Sequence, residues 1–146
     1  MANGQWTAVI LAGQRPGPDP LATHFGITYK ALLPVGGQPM VARVVKTLAD
    51  APSVGRIVIL TQAPDVIAPV LPDGISVDFA ESGAGISTSI LAIAGTDKAP
   101  FLIFLTTADH PLLTIGMVEE FLSGIGSADL GVGMVERATM LAAYPD

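Results

Sequence analysis

The sequence predicts an α/β fold in which helices cover both faces of a mostly parallel sheet. Half of the 146 residues are hydrophobic and only 14% are charged, a balance typical of sheets that are buried on both faces. Short apolar runs alternate with segments of helical periodicity, and the connections are long enough for right-handed crossovers. A chain of this length fits one domain with one core, so we expect a single domain over residues 1–146.

The apolar patterns predict five strands and three helices. The strands are short continuous apolar runs bounded by Gly, Pro or polar residues, and they cover residues 6–11, 56–61, 75–79, 101–105 and 130–135. The helices carry apolar residues at helical spacing, and they cover residues 39–50, 90–94 and 115–122. Thr114 is the expected N-cap of the last helix, and residues 64–71 form at most a short helix. Residues 12–38 are rich in Gly and Pro and predict a long loop, which is usually functional.

Composition and charge exclude several classes of function. The net charge is −6 and the seven Lys and Arg residues are scattered along the chain, whereas general nucleic-acid binders cluster such cations to neutralise phosphates. The absence of cysteine excludes disulfides, thiolate zinc sites and a cysteine nucleophile. No apolar run approaches the length of a membrane-spanning helix, and no basic leader precedes the first strand. We therefore expect a soluble, cytoplasmic protein that binds neither nucleic acid nor membranes.

Three polar loops follow the carboxyl ends of the predicted strands. They begin after Leu11, after Phe79 and after Leu105. Open parallel sheets bind their ligands at this edge, near the point where the strand order reverses. We therefore expect the three loops to form one binding site.

The first loop has the features of a phosphate site. Backbone N–H groups at Ala12 and Gly13 are followed by Arg15 and Lys30, the only cations among residues 1–42. Phosphate oxygens are well met by backbone donors, by a forked guanidinium and by a point-charge ammonium. The loop matches neither the P-loop nor the dinucleotide-binding fingerprint. The alternative is that both cations are solvated and that the glycine only ends the strand.

The second loop places small residues and three hydroxyls at the N-terminus of a predicted helix. This arrangement, over residues 83–89, favours a polar or anionic ligand, because unpaired N–H groups and the helix dipole point toward it. An ordinary Ser/Thr cap is the alternative. Composition does not distinguish Ser87 from Ser89 as the functional hydroxyl.

The third loop offers a carboxylate. Asp109 lies just past the end of a buried strand, and a carboxylate at this position suits Mg²⁺ that bridges phosphate oxygens. The alternative is a structural aspartate that caps a turn before Pro111 through its own side chain. We do not expect the neighbouring His110 to act as a general base.

Together, the three loops resemble the MobA-like nucleotidyltransferases, which include molybdenum-cofactor guanylyl- and cytidylyltransferases. The likeness covers about residues 7–125 and rests on three stretches in this order: L-A-G…R…K-A-L-L-P-V-G-G-Q-P-M, G-I-S-T-S-I-L-A-I-A and T-T-A-D-H-P-L-L-T. The resemblance implies the three-layer Rossmann-like sandwich of the nucleotide-diphospho-sugar transferases. It also implies an enzyme with Mg²⁺ as cofactor, in which an acceptor phosphate attacks the α-phosphorus of an NTP and pyrophosphate is released.

The resemblance implies roles for residues in all three loops. Arg15 matches the arginine that binds the triphosphate, and Lys30 matches the lysine that stabilises charge on the α-phosphate. Asp109 matches the Mg²⁺-binding aspartate. The positions that match the nucleotide-binding backbone, or that line the base and ribose, are Leu11, Ala12, Gly13, Gly85 and Ser89, with Ser87 as a further candidate.

The sequence also departs from the family pattern. Gln14 stands where the family usually has a second glycine, and several prolines lie between Arg15 and Lys30. The family's second acidic metal ligand lies far downstream, and no candidate for it is evident. We therefore expect the given chain to lack the C-terminal acceptor-binding part.

The resemblance implies two partners, an NTP, with CTP or GTP expected, and a phosphorylated small molecule. A non-catalytic nucleotide-binding or scaffold domain of the same fold is the alternative function. A glycosyltransferase of this general fold is disfavoured, because it would carry an Asp-x-Asp metal motif after the fourth strand, where Asp109 is followed by His110 and Pro111.

Overall fold

The structure is a computed structural model that describes residues 6–83 and 85–145, which form six strands and six helices. The strands are β1 (Trp6–Leu11), β2 (Pro34–Val35), β3 (Gln38–Pro39), β4 (Val54–Thr61), β5 (Asp78–Glu81) and β6 (Ile103–Thr107). The helices are α1 (Pro20–His24), α2 (Met40–Asp50), α3 (Pro64–Ile67), α4 (Ile86–Ile93), α5 (Ile115–Gly124) and α6 (Arg137–Ala143). Short 3₁₀ turns cover Lys30–Leu32 and Ala68–Val70. None of the described helices is long and apolar enough to cross a membrane.

Four of the strands form a parallel sheet in the order β5–β4–β1–β6. The chain runs outward from β1 through β4 to β5, and then crosses back to place β6 on the other side of β1. The strand order therefore reverses at β1, and the crevice at the carboxyl ends of β1 and β6 is the usual ligand position in such a sheet. The predicted α/β fold with a parallel sheet is confirmed.

The two faces of the sheet carry separate hydrophobic clusters, because successive side chains of a strand point to opposite faces. In β1, Ala8 and Ile10 belong to the cluster on one face. The buried side chains that α2 and α5 contribute to this cluster include Val41, Val44, Val45, Leu48, Val118 and Leu122. Val9 points to the other face and packs in a second cluster with Leu60 and with Ile93 of α4. The sheet therefore lies between two helical layers.

The long loop predicted over residues 12–38 contains a short helix, α1, and leads into a hairpin that sequence reasoning missed. Strands β2 and β3 pair antiparallel through Gly36 and Gly37, whose φ angles of +59° and +79° suit a type I′ turn. The Met40 N–H, at the start of α2, donates to the Leu33 carbonyl at 2.9 Å. The hairpin therefore holds the preceding 3₁₀ turn against the start of α2.

Two strands begin later than the sequence predicts. Strand β5 begins at Asp78 rather than at residue 75, and β6 begins at Ile103 rather than at residue 101. The apolar side chains before β5 pack against the core without joining the ladder, and Phe101 is exposed. In both cases the hydrophobic run begins in the segment that precedes the strand, before the first residue that pairs with a neighbouring strand.

The α4 helix begins earlier than the sequence predicts, at Ile86 rather than at residue 90. Gly85 is its N-cap, and the hydroxyls of Thr88 and Ser89 donate back to the Gly85 carbonyl at 2.9 and 2.7 Å. Serine and threonine are favoured at helix N-termini, where their hydroxyls bond to nearby backbone groups. The polar run therefore belongs to the first turn of the helix. By contrast, Thr114 caps α5 as predicted, since its hydroxyl accepts from the Met117 N–H.

The predicted fifth strand at residues 130–135 is wrong. The segment has no regular secondary structure, and its exposed apolar side chains are Leu130, Val132, Met134 and Val135. A strand is stable only when a neighbour pairs with its backbone, and none of the described strands pairs with this segment. The backbone at Gly131 instead passes close to Ile125. Helix α6 follows, and the sequence did not predict it.

Candidate active site

A cleft of about 1340 Å³ lies at the carboxyl ends of β1 and β6. Its walls come from the three loops that the sequence singled out, after β1, before α4 and after β6. Eight of the nine predicted site residues line it, namely Leu11, Ala12, Gly13, Arg15, Lys30, Gly85, Ser89 and Asp109. The ninth, Ser87, is exposed on α4 and is not among the lining residues.

Lys30 projects from a backbone turn whose neighbours are buried. It begins the 3₁₀ turn, in which Ala31 is buried in the core beside α2, and the buried Leu33 follows. The lysine side chain itself is 40% exposed and lines the cleft. The buried apolar residues after Lys30 therefore fix the backbone from which its side chain extends into the cleft.

Asp109 lies just past the end of β6 and pairs with Lys30. The ammonium Nζ of Lys30 donates to Asp109 Oδ2 at 2.6 Å, and the Thr107 hydroxyl donates to Asp109 Oδ1 at 2.5 Å. The hydrogen bond from Lys30, and after it the one from Thr107, holds the pKa of Asp109 below its ordinary value. The carboxylate is therefore ionised at neutral pH, and both of its oxygens are engaged.

Arg43 of α2 ties together the segments that follow the two members of this pair. Its Nε donates to the Pro111 carbonyl at 3.0 Å, and its Nη1 donates to the Val35 carbonyl at 3.4 Å. Pro111 lies two residues beyond Asp109, and Val35 lies in the hairpin that follows the Lys30 turn. No sequence pattern marks Arg43, because it lies on the polar side of an ordinary amphipathic helix.

Gly13 lies where the ends of β1, β4 and β5 come close together. A Cβ atom at this position would lie 2.6 Å from Ser82 Oγ and 3.3 Å from Gln62 Nε2, so only glycine fits without movement of its neighbours. Gln62, one residue beyond β4, also accepts from the Gln14 N–H at 3.0 Å. Sequence reasoning missed Gln62, although a polar side chain directly after a buried strand is the signal that could have found it.

The turn before α4 is closed by Ser89. This residue is buried, and its hydroxyl donates to the Gly85 carbonyl at 2.7 Å and accepts from the Gly83 N–H at 2.9 Å. Ala84, within the predicted turn, lies outside the described residues. The hydroxyl of Ser89 therefore shapes this wall of the cleft through the backbone.

The donor set around Asp109 fits a metal ion that also contacts phosphates. Mg²⁺ usually keeps several waters and is bound by one or two carboxylates together with substrate phosphates. Among residues 6–83 and 85–145, no group of three or more His, Asp or Glu side chains is placed to hold a metal. A cation at this site would therefore depend on Asp109 and on the oxygens of its ligand, and it would replace the ammonium of Lys30 or the hydroxyl of Thr107.

Residues 8–140 match the family described as the MobA-like NTP transferase domain. The chain belongs to this family. The matched range contains all three loops and both members of the ion pair. The match confirms the resemblance drawn from the sequence and the predicted enzyme class, since the members are nucleotidyltransferases.

Solved structures share the fold. A homologue of Mycobacterium tuberculosis Rv0371c from Mycobacterium sp. strain JC1 is 21% identical, with a TM-score of 0.61, and the match covers 95% of this chain and 73% of that one. The 4-diphosphocytidyl-2C-methyl-D-erythritol synthase from Anaerococcus prevotii is 14% identical, with a TM-score of 0.63 and coverage of 92% and 60%. Rv0371c from Mycobacterium tuberculosis H37Rv, solved in complex with manganese, is 20% identical, with a TM-score of 0.53 and coverage of 84% and 59%.

At these identities the likeness shows the fold and no more. The chain spans 73% of the first protein but only about three-fifths of the other two. No curated protein matches it.

Proposed function

We propose that this chain catalyses Mg²⁺-dependent nucleotidyl transfer from an NTP to a phosphorylated small molecule, with release of pyrophosphate. The observation that carries the proposal is the Lys30–Asp109 pair, 2.6 Å apart, in the same cleft as the Gly13 backbone. A cation, a carboxylate and a glycine-containing turn are the groups that phosphoryl chemistry uses for alignment and charge stabilisation. Their position at the point where the strand order reverses supports a nucleotide site.

The reaction needs no covalent nucleophile from the protein. An oxygen of the acceptor phosphate forms a bond to the α-phosphorus of the NTP. The bond from the α-phosphorus to the oxygen that bridges to the β-phosphate breaks, and pyrophosphate leaves with the electron pair. Lys30 donates to the α-phosphate oxygens, where negative charge develops, and Arg15 donates to the triphosphate. Both residues act by alignment and by electrostatic stabilisation.

Asp109 is the residue that would hold Mg²⁺. When bound, the ion supplies neutralisation of phosphate charge and a template for alignment. The ion pair implies an exchange of partners on nucleotide binding, because Lys30 leaves Asp109 for a phosphate and so frees a carboxylate oxygen. The backbone of Leu11, Ala12 and Gly13 then holds the nucleotide from one side, and the turn at Gly85 holds it from the other.

CTP or GTP is the nucleotide we expect. One protein of this fold is named a 4-diphosphocytidyl-2C-methyl-D-erythritol synthase, which supports a cytidine nucleotide, while the resemblance to guanylyltransferases supports guanosine. Another protein of this fold was solved with manganese, which supports a divalent cation in the cleft. The proposed acceptor is a small molecule with a phosphate group, since that phosphate is the attacking group.

A screen of the four NTPs in Mg²⁺, followed by an assay of pyrophosphate release with phosphorylated acceptors, tests the proposal. We expect one NTP to raise the melting temperature more than the other three do, because a ligand that binds only the native state stabilises it by mass action. Lys30→Met should lower pyrophosphate release by about 100-fold or more, as loss of one charge-stabilising donor does. Lys46→Met removes an exposed lysine of α2 and is the matched control.

Two outcomes would contradict the proposal. One is a wild-type protein that no NTP stabilises. The other is a Lys30→Met variant that releases pyrophosphate as fast as Lys46→Met does.

A nucleotide-binding domain without turnover is the second candidate. It is favoured by the isolation of Asp109, since the described residues place no cluster of acidic side chains around it. This function predicts that an NTP stabilises the protein but that no phosphorylated acceptor leads to pyrophosphate release. The same two measurements therefore separate it from the transferase.

A further inference from the structure

The side chain of Gln62 continues the pairing of β1 with β4 beyond the point where the backbone ladder ends. The last backbone bond between the two strands joins the Ala12 N–H to the Leu60 carbonyl at 2.9 Å. Past this bond, Gln62 Oε1 accepts from the Gln14 N–H at 3.0 Å, and Gln62 Nε2 lies 3.4 Å from the Gln14 carbonyl to which it donates. The side-chain amide of Gln62 thus acts as a peptide group would: its oxygen accepts from the Gln14 N–H, and its nitrogen donates to the Gln14 carbonyl.

The neighbouring Gly13 allows the backbone of the loop to come close to Gln62 and Ser82. A Cβ at Gly13 would lie 2.6 Å from Ser82 Oγ and 3.3 Å from Gln62 Nε2, so the loop after β1 lies directly against the residues that follow β4 and β5. Gln14 is followed by Arg15, which lines the cleft. The bond to Gln62 therefore sets where the chain turns toward Arg15.

We propose that Gln62 is a positioning residue that holds the backbone of Gln14 and thereby fixes the nucleotide-binding loop, including the direction in which Arg15 enters the cleft. This inference rests on the proposed function for its effect on nucleotide affinity. With its N–H donated to Gln62, the backbone of Gln14 is not a phosphate donor, and binding of the triphosphate depends on Arg15.

The amide is the side chain that this contact requires. Glutamate at position 62 would keep the acceptor for the Gln14 N–H but would lose the donor and add a negative charge to a cleft that binds anions. Methionine has nearly the same length and shape but can form neither bond. The two variants therefore separate the backbone contact from the charge of the cleft.

The experiment measures amide hydrogen exchange of Gln14 by NMR, together with NTP affinity by calorimetry, in the wild type, Gln62→Met, Gln62→Glu and Gln38→Met. Gln38, exposed on the hairpin and outside the cleft, is the matched control. In Gln62→Met we expect exchange at Gln14 to quicken about three- to tenfold, the effect of losing one net hydrogen bond. NTP affinity should fall by a similar factor. In Gln62→Glu the Gln14 amide should stay protected while affinity falls.

Each outcome bears on a different part of the proposal. Unchanged exchange at Gln14 in Gln62→Met would overturn the proposal. So would a Gln62→Met variant in which exchange at Gln14 is faster but the NTP affinity equals that of Gln38→Met. Faster exchange throughout the chain would also overturn it, because that pattern reports a loss of global stability. A wild type that binds no NTP would contradict the proposed function instead, and exchange at Gln14 would still decide whether Gln62 holds the loop.

Discussion

Lys30 and the Thr107 hydroxyl engage both oxygens of Asp109, so a metal ion that bound this carboxylate would compete with Lys30. Without nucleotide, we expect Lys30→Met to bind Mn²⁺ up to about fivefold more tightly than the wild type, since an exposed ion pair is worth about 0–1 kcal/mol. Titration followed by the electron paramagnetic resonance of free Mn²⁺ measures this. Lys46→Met, which removes the partner of Asp50, should leave the affinity unchanged. Equal Mn²⁺ affinities in the wild type and both variants would show that Lys30 does not compete with the ion for the carboxylate.

Asp109 also links stability to pH. Its pKa in the folded protein lies below the ordinary value of 3.8, so the unfolded chain binds more protons there and stability rises with pH. This contribution is present above about pH 4 and is lost as the pH falls through the folded pKa.

We therefore expect Asp109→Asn to be less stable than the wild type at pH 7. The difference should stay under about 1 kcal/mol, because the Asp109 side chain is 38% exposed and solvent screens the pair. It should shrink as the pH falls below 4, where the wild-type carboxyl becomes protonated. Urea unfolding of both proteins across this range measures it. A difference that stays constant down to the lowest pH would exclude Asp109 as its source.

At the scale of elements, α2 is the support on which both halves of the cleft's ion pair are built. At its first turn, the Met40 N–H donates to the carbonyl of Leu33, which directly follows the Lys30 turn. Further along, Arg43 and Thr47 donate to carbonyls of the segment that follows Asp109. The buried side of α2 packs on the sheet, so its exposed edge is available for these contacts.

Arg43→Met should therefore destabilise the fold by about 1–3 kcal/mol, since it removes charged hydrogen bonds to carbonyls from a half-buried position. Lys46→Met on the same helix removes only an exposed i,i+4 pair, which is worth about 0.3–0.5 kcal/mol. Urea unfolding of the two variants measures the contrast. Equal stabilities would mean that Arg43 does not fasten the loop after β6 to the hairpin.

At the scale of the whole molecule, the sequence predicted the elements whose burial leaves a clear local pattern. Strands β1 and β4 and helix α2 were found because an unbroken apolar run or a clear helical period reflects burial directly. The same reasoning failed at residues 130–135, which are also largely apolar, because strand formation also requires a partner. Local pattern reports hydrophobicity, whereas pairing depends on the rest of the chain.

The candidate site could be predicted to a similar extent. The sequence predicted Lys30 and Asp109 as site residues because each lies in a polar loop at the end of a buried strand or in a stretch that resembles a known family, and the structure brings both into one cleft. Gln62 and Arg43 were missed, because their contacts join residues 48 and 68 positions apart and leave no local signal. Ser87 was kept as a candidate beside Ser89, since only the helical geometry of α4 separates an exposed serine from a buried one.

The strand order has a consequence for how the protein folds. Central β1 pairs with β4 and with β6, and the ion pair joins residues 79 positions apart. Contacts between distant parts of a chain form slowly, because loop-closure entropy must be overcome before they contribute stability. The cleft can therefore exist only after β6 has joined the sheet. A nucleotide that binds this cleft should therefore bind during refolding only once β6 has paired with β1.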